Sequence, residues 1–542
     1  MTTILIRNGK IIDGTSANDY EGHVLIENDT IKDVVIKGSQ LPSVDEVIEA
    51  GGCVISPGFI DVHSHCDWIL PLDDHDELMK CFLEQGITTI IAGNCGFSPA
   101  PVINRSRVKI SELKVALERP LDFSWGTMGE FLDRLEEVKP VVNVAELVGH
   151  GHIRIAHAKN YRETIRREEL NRCLDSVKQS FDEGAVGLSF GLGYPPGMYS
   201  SLEEIEAFCK VAAAANRLVT VHLKALTWLS PAYPATTLPP HNLRALKEML
   251  DIARRTNVKL QISHFLFGDK RSWATAEKAF EMVHQARRVG GDIRFDIFPY
   301  LYVNTTINIL FPYWFLARTP DAYDNPVAKF MLNAHLNAGF ALLGFHHKNI
   351  QIMDAAIDGL ENLNGLTIPE IAEKWETTPF DVLLKLSKLS QGGTLMLFHF
   401  SPGDPNGTKV LEDVLSDDLC LFETDAVVKS KAYPNPAAMG TFPLILGPMV
   451  RDRKLFSLEN AVHRSTYASA ERFGIKDRGM LAKGKTADIV IFDPDTISDT
   501  PPAGSMPASK PNGIKYVLIN GMKVVNEGDY VPGARYGRVL RA

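Results

Sequence analysis

Residues 57–67 read PGFIDVHSHCD. A short apolar run, 58–62, ends in two histidines one residue apart. Side chains two apart on an extended chain point the same way, so His63 and His65 can approach one ion from the C-terminal end of a strand. An isolated HxH is weak evidence, and its meaning depends on how other strands end. TTIIA at 88–92 runs into Cys95, LVTVH at 218–222 ends in His222, VKLQISH at 258–264 ends in His264, and LCLFETD at 419–425 ends in Asp425. Each residue alone has an ordinary reading: a buried thiol, a core or capping histidine, an Asp capping the next helix. Together they put metal-capable side chains at one end of several strands.

Working outward, further apolar strands are expected at 141–147, 185–190 and 293–298, with amphipathic helices at 76–84, 165–183, 202–215, 243–255 and 275–289. Strands separated by helices predict an α/β chain, here a TIM-like (β/α)8 barrel; a doubly wound open sheet is the competing arrangement. The active face of such a barrel is where its strands end. The connection before the last strand is too long for one helix, so 301–418 is expected to be a mainly helical insertion forming a lid or an interface. Hairpin grammar appears at both ends of the chain: TILIRNGKII with Asn8-Gly9, HVLIENDTIKDVVI with Asn28-Asp29, TADIVIF, and IKYVLINGMKVV with Asn520-Gly521. Short hairpins need a shared apolar face, so 1–57 and 479–542 are read as one small β-sandwich domain and 58–478 as the barrel with its insertion.

Composition narrows the function. With 57 basic and 66 acidic residues among 542, the formal charge is −9, and no basic field is available to hold nucleic acid. The most apolar stretch, 297–317, is broken by Pro299 and Pro312 and by Asn304, Thr305, Thr306 and Asn308, so it is a buried lid core or a subunit interface of a homo-oligomer rather than a membrane span. Seven scattered cysteines without a CxxC pair, and an N-terminal segment without a leader pattern, predict a reduced, cytoplasmic protein. No GxGxxG or GxxxxGK[ST] follows a suitable strand, which argues against dinucleotide and P-loop chemistry. A small-molecule substrate is expected. Near the mouth, Tyr194 lies just past the fourth strand and Tyr300 just past the seventh, and either hydroxyl could serve an oxyanion or simply pack under the lid. Glu423 is a weaker carboxylate candidate than Asp425, and His150 is a candidate supporting residue.

At this point the chain resembles the amidohydrolase superfamily, in the D-aminoacylase or N-acyl-D-amino-acid deacylase branch. The matching strings RNGKIIDG, PGFIDVHSHCD, GITTIIAGNCGFSP, GAVGLSFGLGYPPG, ISHF, YPNPAAMGTFPLILG, RGMLAKGKTADIVIFDP and VLINGMKVV run from about residue 7 to about 525. The resemblance implies hydrolysis of a C–N amide bond with one tightly held Zn2+ on Cys95, His222 and His264. It implies that His63 and His65 face a second, weaker metal position or the substrate, and that Asp425 is the general base and acid. Four departures stand out: HLKAL replaces HxRxE, with Lys224 and Leu226; Leu266 replaces the lysine of SHxK; YPN replaces HPR, with Asn435; and Leu444 replaces the arginine of TFPR. Asn435 cannot form the bidentate fork that an arginine offers a carboxylate, and Lys224 is only a point charge. The substrate is therefore expected to differ from a standard free N-acyl-D-amino acid, with Tyr194, Lys224, Tyr300 and Asn435 as substrate-binding candidates. Hydrolysis of a cyclic amide, imide or hydantoin, and metal-dependent C–C bond chemistry, are the alternatives.

Overall fold

The computed structural model describes residues 2–102, 118–119, 121–234, 239–400, 403–503 and 506–542. Eight parallel strands follow one another around a barrel: Phe59–Asp61, Ile87–Ala92, Asn143–Gly149, Gly187–Gly191, Leu218–His222, Leu260–Ile262, Ile293–Ile297 and Cys420–Phe422. The first and last strands meet just beyond their ends, where Ser64 and Ala426 form a parallel bridge and the His65 N–H donates to the Ala426 carbonyl at 3.0 Å. Asp61 ties the seam from below, accepting from the Thr424 hydroxyl at 2.6 Å and the Thr424 N–H at 3.0 Å. The strands alternate: Val219, Val221, Leu260, Ile262, Phe295 and Ile297 join one apolar cluster with Phe208, Leu246 and Val283 of the surrounding helices. The residues between them, such as Gln261 and Asp296, hydrogen-bond to each other at 2.7 Å.

The helices form for local reasons. Met128–Val138 opens with a Thr127/Glu130 capping box and buries Met128, Phe131, Leu132 and Leu135 at helical spacing. Pro326–Leu343 starts with Asn325 as cap and Pro at its first position, and ends at Gly344, whose φ of 77° suits the left-handed stop.

The segment expected to be a mainly helical insertion also contains a three-stranded antiparallel sheet, with Leu395–His399 between Tyr302–Thr306 and Ile350–Asp354. Residues 401–402 of it lie outside the described residues. The helix Pro405–Ser416 packs against the eighth strand and belongs to the barrel's outer ring. Both chain ends contribute to a nine-stranded sheet in which Val54–Pro57 pairs with Thr3–Ile11 on one side and Ile489–Phe492 on the other. Ile489 and Ile491 point into this domain's own core with Ile6, Val24 and Ile55, whereas Val490 and Phe492 join the barrel's cluster. The last residues leave this sheet: the Gly537 N–H donates to the Pro140 carbonyl and the Leu540 N–H to Val144 of the third barrel strand. No helix among the described residues is long and apolar enough to cross a membrane.

Candidate metal centre

The strand ends converge. Cys95 Sγ lies 3.3 Å from His63 Nε2, 3.6 Å from His264 Nε2 and 4.0 Å from His222 Nδ1, and the two imidazole nitrogens of His222 and His264 are 2.9 Å apart. Asp425 Oδ1 is 3.3 Å from His65 Nε2 and 3.4 Å from His63 Nε2. Two donor groups share the thiol: Cys95, His222 and His264, and His63, His65, Cys95 and Asp425, with the donor atoms in each within 4.8 Å of one another. Burial opposes ionisation of Cys95, but the charge of His63 and hydrogen bonds with His222 and His264 hold its pKa well below the usual thiol value. A thiolate surrounded by imidazoles and one carboxylate is a donor set that fits a divalent ion of the zinc type.

The backbone at these positions is strained. Cys95, His264 and Asp425 have φ of 55°, 33° and 46°, in the left-handed region that side-chain-bearing residues rarely adopt. Each is fixed by a specific bond. The Tyr194 hydroxyl donates to the Cys95 carbonyl at 3.0 Å, the His264 N–H donates to Asp296 at 2.7 Å, and the Asp425 N–H donates to the His63 carbonyl at 3.0 Å. The turn at His264 also corrects its parity. Gln261 bonds with Asp296 inside the barrel, so strict alternation would send residue 264 outward. Asp296 is the residue that sequence reasoning missed. It sits beneath His63, 3.8 Å from its Nδ1, while Glu423 lies 3.0 Å from the same atom. Its signal was only an acidic residue between the apolar Phe295 and Ile297 of the strand IRFDI.

The remaining candidates separate. Tyr194 and Lys224 line the large cavity that opens from the centre. The Tyr194 hydroxyl stays protonated, because burial and the neighbouring Cys95 push its pKa well above the usual phenol value. The Lys224 ammonium lies 5.2 Å over the Tyr233 ring, and burial lowers its pKa. Tyr300 and Asn435 are not part of the cavity wall. The Tyr300 hydroxyl donates to Asp499, and Asn435 Oδ1 accepts from the Tyr302 hydroxyl and from the Ala437 N–H as cap of the helix Pro436–Leu444. His150 pairs with Glu204 at 2.9 Å, away from the centre. Asn304, from the insertion, does line the cavity. Its amide donates to the Asp425 carbonyl at 3.2 Å, and its Oδ1 has no partner among the described residues.

Two models of the amidohydrolase family match the chain, over residues 54–287 and 417–525. N-acyl-D-glutamate deacylase of Alcaligenes xylosoxydans xylosoxydans is 29% identical, covering 99% of this chain and 96% of that protein. D-aminoacylase of the same organism is 26% identical, covering 99% and 97%. The crystal structure of N-acyl-D-glutamate deacylase from Bordetella bronchiseptica, complexed with zinc and a phosphonate inhibitor, superposes with a TM-score of 0.81 at 26% identity and 99% coverage of both chains. With this fold and these relatives, the chain is a metal-dependent hydrolase acting on carbon–nitrogen bonds other than peptide bonds. It belongs to the amidohydrolase superfamily, in the D-aminoacylase branch.

Proposed function

We propose that the chain hydrolyses a small-molecule amide other than a standard free N-acyl-D-amino acid, with Asp425 moving the proton. The observation that carries this reading is the Asp425 carboxylate at the edge of a thiolate–imidazole cluster, facing a cavity. Cys95, His222 and His264 would hold one zinc tightly, and His63, His65 and Asp425 would face a second, weaker position. A zinc bound there supplies Lewis-acid chemistry, polarising a carbonyl and acidifying water. Asp425 accepts a proton from the attacking water and returns it to the leaving nitrogen as the C–N bond breaks. Tyr194 and Asp296 hold the turns at Cys95 and His264.

The missing carboxylate clamp supports the substrate reading. Asn435 is committed to a helix cap and to Tyr302, and Leu266 provides no charge. At the motif positions a free carboxylate would meet only Lys224, a point charge without a fork, the other cations of the wall being Arg162 and Lys388, and an imperfectly paired charge away from water is costly. The test compares N-acyl-D-glutamate, neutral N-acyl amino amides and cyclic amides in oxygen-18 water. Neutral amides are expected to show the higher kcat/KM, with label in the acid product. Faster turnover of N-acyl-D-glutamate would overturn the substrate reading, and product without label would overturn hydrolysis.

A further inference from the structure

The cavity onto which the cysteine, histidine and aspartate cluster opens has a volume of about 1130 Å³. That is above the span of about 300–1,000 Å³ typical of small-ligand pockets. His65, Cys95, His222, His264 and Asp425 lie on its wall, and much of the rest is apolar. Leu226 comes from the segment after the fifth strand; Ile309, Trp314, Leu336, Phe340 and Phe398 come from the insertion. A short acyl amino acid would leave most of this wall in contact with water, which apolar surface disfavours.

We propose that the cavity is a binding site for a long hydrocarbon chain attached to the scissile amide, so that the substrate is a lipid-like amide. The inference rests on the amide-hydrolase reading of the same site, but it concerns the wall of the insertion rather than the candidate ligand residues. The helix Pro326–Leu343 turns His335, Leu336, Gly339, Phe340 and Leu343 toward the cavity, at the spacing of one helix face. Gly339 interrupts that face, and a Cβ built on it meets no heavy atom within 4 Å. A larger side chain there has room, improves helix propensity and occupies cavity space.

The experiment uses the metal-loaded full chain with two amide series, one lengthening the acyl side and one the amine side, from two to about fourteen carbons. In the series that carries the natural chain, kcat/KM is expected to rise roughly fourfold per added methylene until the cavity is filled. Gly339→Phe is expected to shift that optimum to shorter chains. A rise on the acyl side identifies a fatty acyl amide, and a rise on the amine side an amide of a long-chain amine. Flat profiles in both series, with turnover retained, overturn the inference and leave the hydrolase reading standing. A fluorescent polyene fatty alcohol, uncharged like the expected substrate and titrated onto the same protein, separates the two readings if no amide is cleaved. Saturable binding that Gly339→Phe weakens supports the cavity assignment although the hydrolase reading fails, and absence of binding overturns both.

Discussion

The main-chain N–H of Asp425 donates to the main-chain carbonyl of His63 at 3.0 Å, and the Asp425 carboxylate stands 3.4 Å from the ring of the same histidine. Asp425 is thus tied to the end of the first strand by a main-chain hydrogen bond. Its backbone position does not depend on the rotamer of the His63 side chain.

Asp425→Asn preserves the shape of that residue and the backbone bond while removing the basic oxygen. Zinc content, measured by inductively coupled plasma mass spectrometry, is expected to stay near the parent level, while kcat falls by about 10²–10⁴. Loss of zinc from this variant would make Asp425 primarily a ligand.

Cys95 is the one donor shared by both groups. Cys95→Ala is expected to show the opposite order: zinc content drops first, and activity falls in proportion. A fully loaded, inactive Cys95→Ala protein would remove Cys95 from the ligand set.

Asn435→Ala separates a structural role from a substrate contact. Loss of the cap on Pro436–Leu444 and of the Tyr302 partner is expected to lower unfolding free energy by about 1–2 kcal/mol in urea titrations, with KM for the preferred amide unchanged. A raised KM at parental stability would return Asn435 to the substrate site.

His152 is fully buried, and burial lowers its pKa to about 4 from the ordinary 6.5, against a hydrogen bond with the Pro101 carbonyl. The folded chain therefore binds fewer protons than the unfolded chain between these values, and stability falls as pH drops through that window. The slope from this group is about 1.4 kcal/mol per pH unit. His152→Gln is expected to flatten the acid limb of the unfolding midpoint between pH 6.5 and about 4; an unchanged limb would show that His152 protonates freely in the fold.

The barrel was legible because each apolar run had to be covered on the outside by a helix, and strands such as Leu218–His222 and Ile293–Ile297 fall within the runs read from sequence. The residue types at the strand ends were legible for the same reason. The insertion's sheet was not: Tyr302–Thr306 reads YVNTT, and its pairing with Leu395–His399 depends on chain far along the sequence. The left-handed turns at Cys95, His264 and Asp425 were equally hidden, since each is imposed by a distant hydrogen-bond partner rather than by a glycine. Tyr300 read as a mouth residue, but its partner Asp499, 199 positions later, holds the hydroxyl against the two-stranded sheet of Ser498–Thr500 and Ser509–Asn512.

The pairing of Val54–Pro57 with Ile489–Phe492 also sets a timetable for synthesis. A growing chain leaves the ribosome with this edge bare and its HSH segment made, yet must produce more than four hundred further residues before the matching strand arrives. Throughout that interval an open β-edge is available to neighbouring chains, so recovery of the native protein depends on how well the cell shields nascent polypeptides, as much as on the final packing.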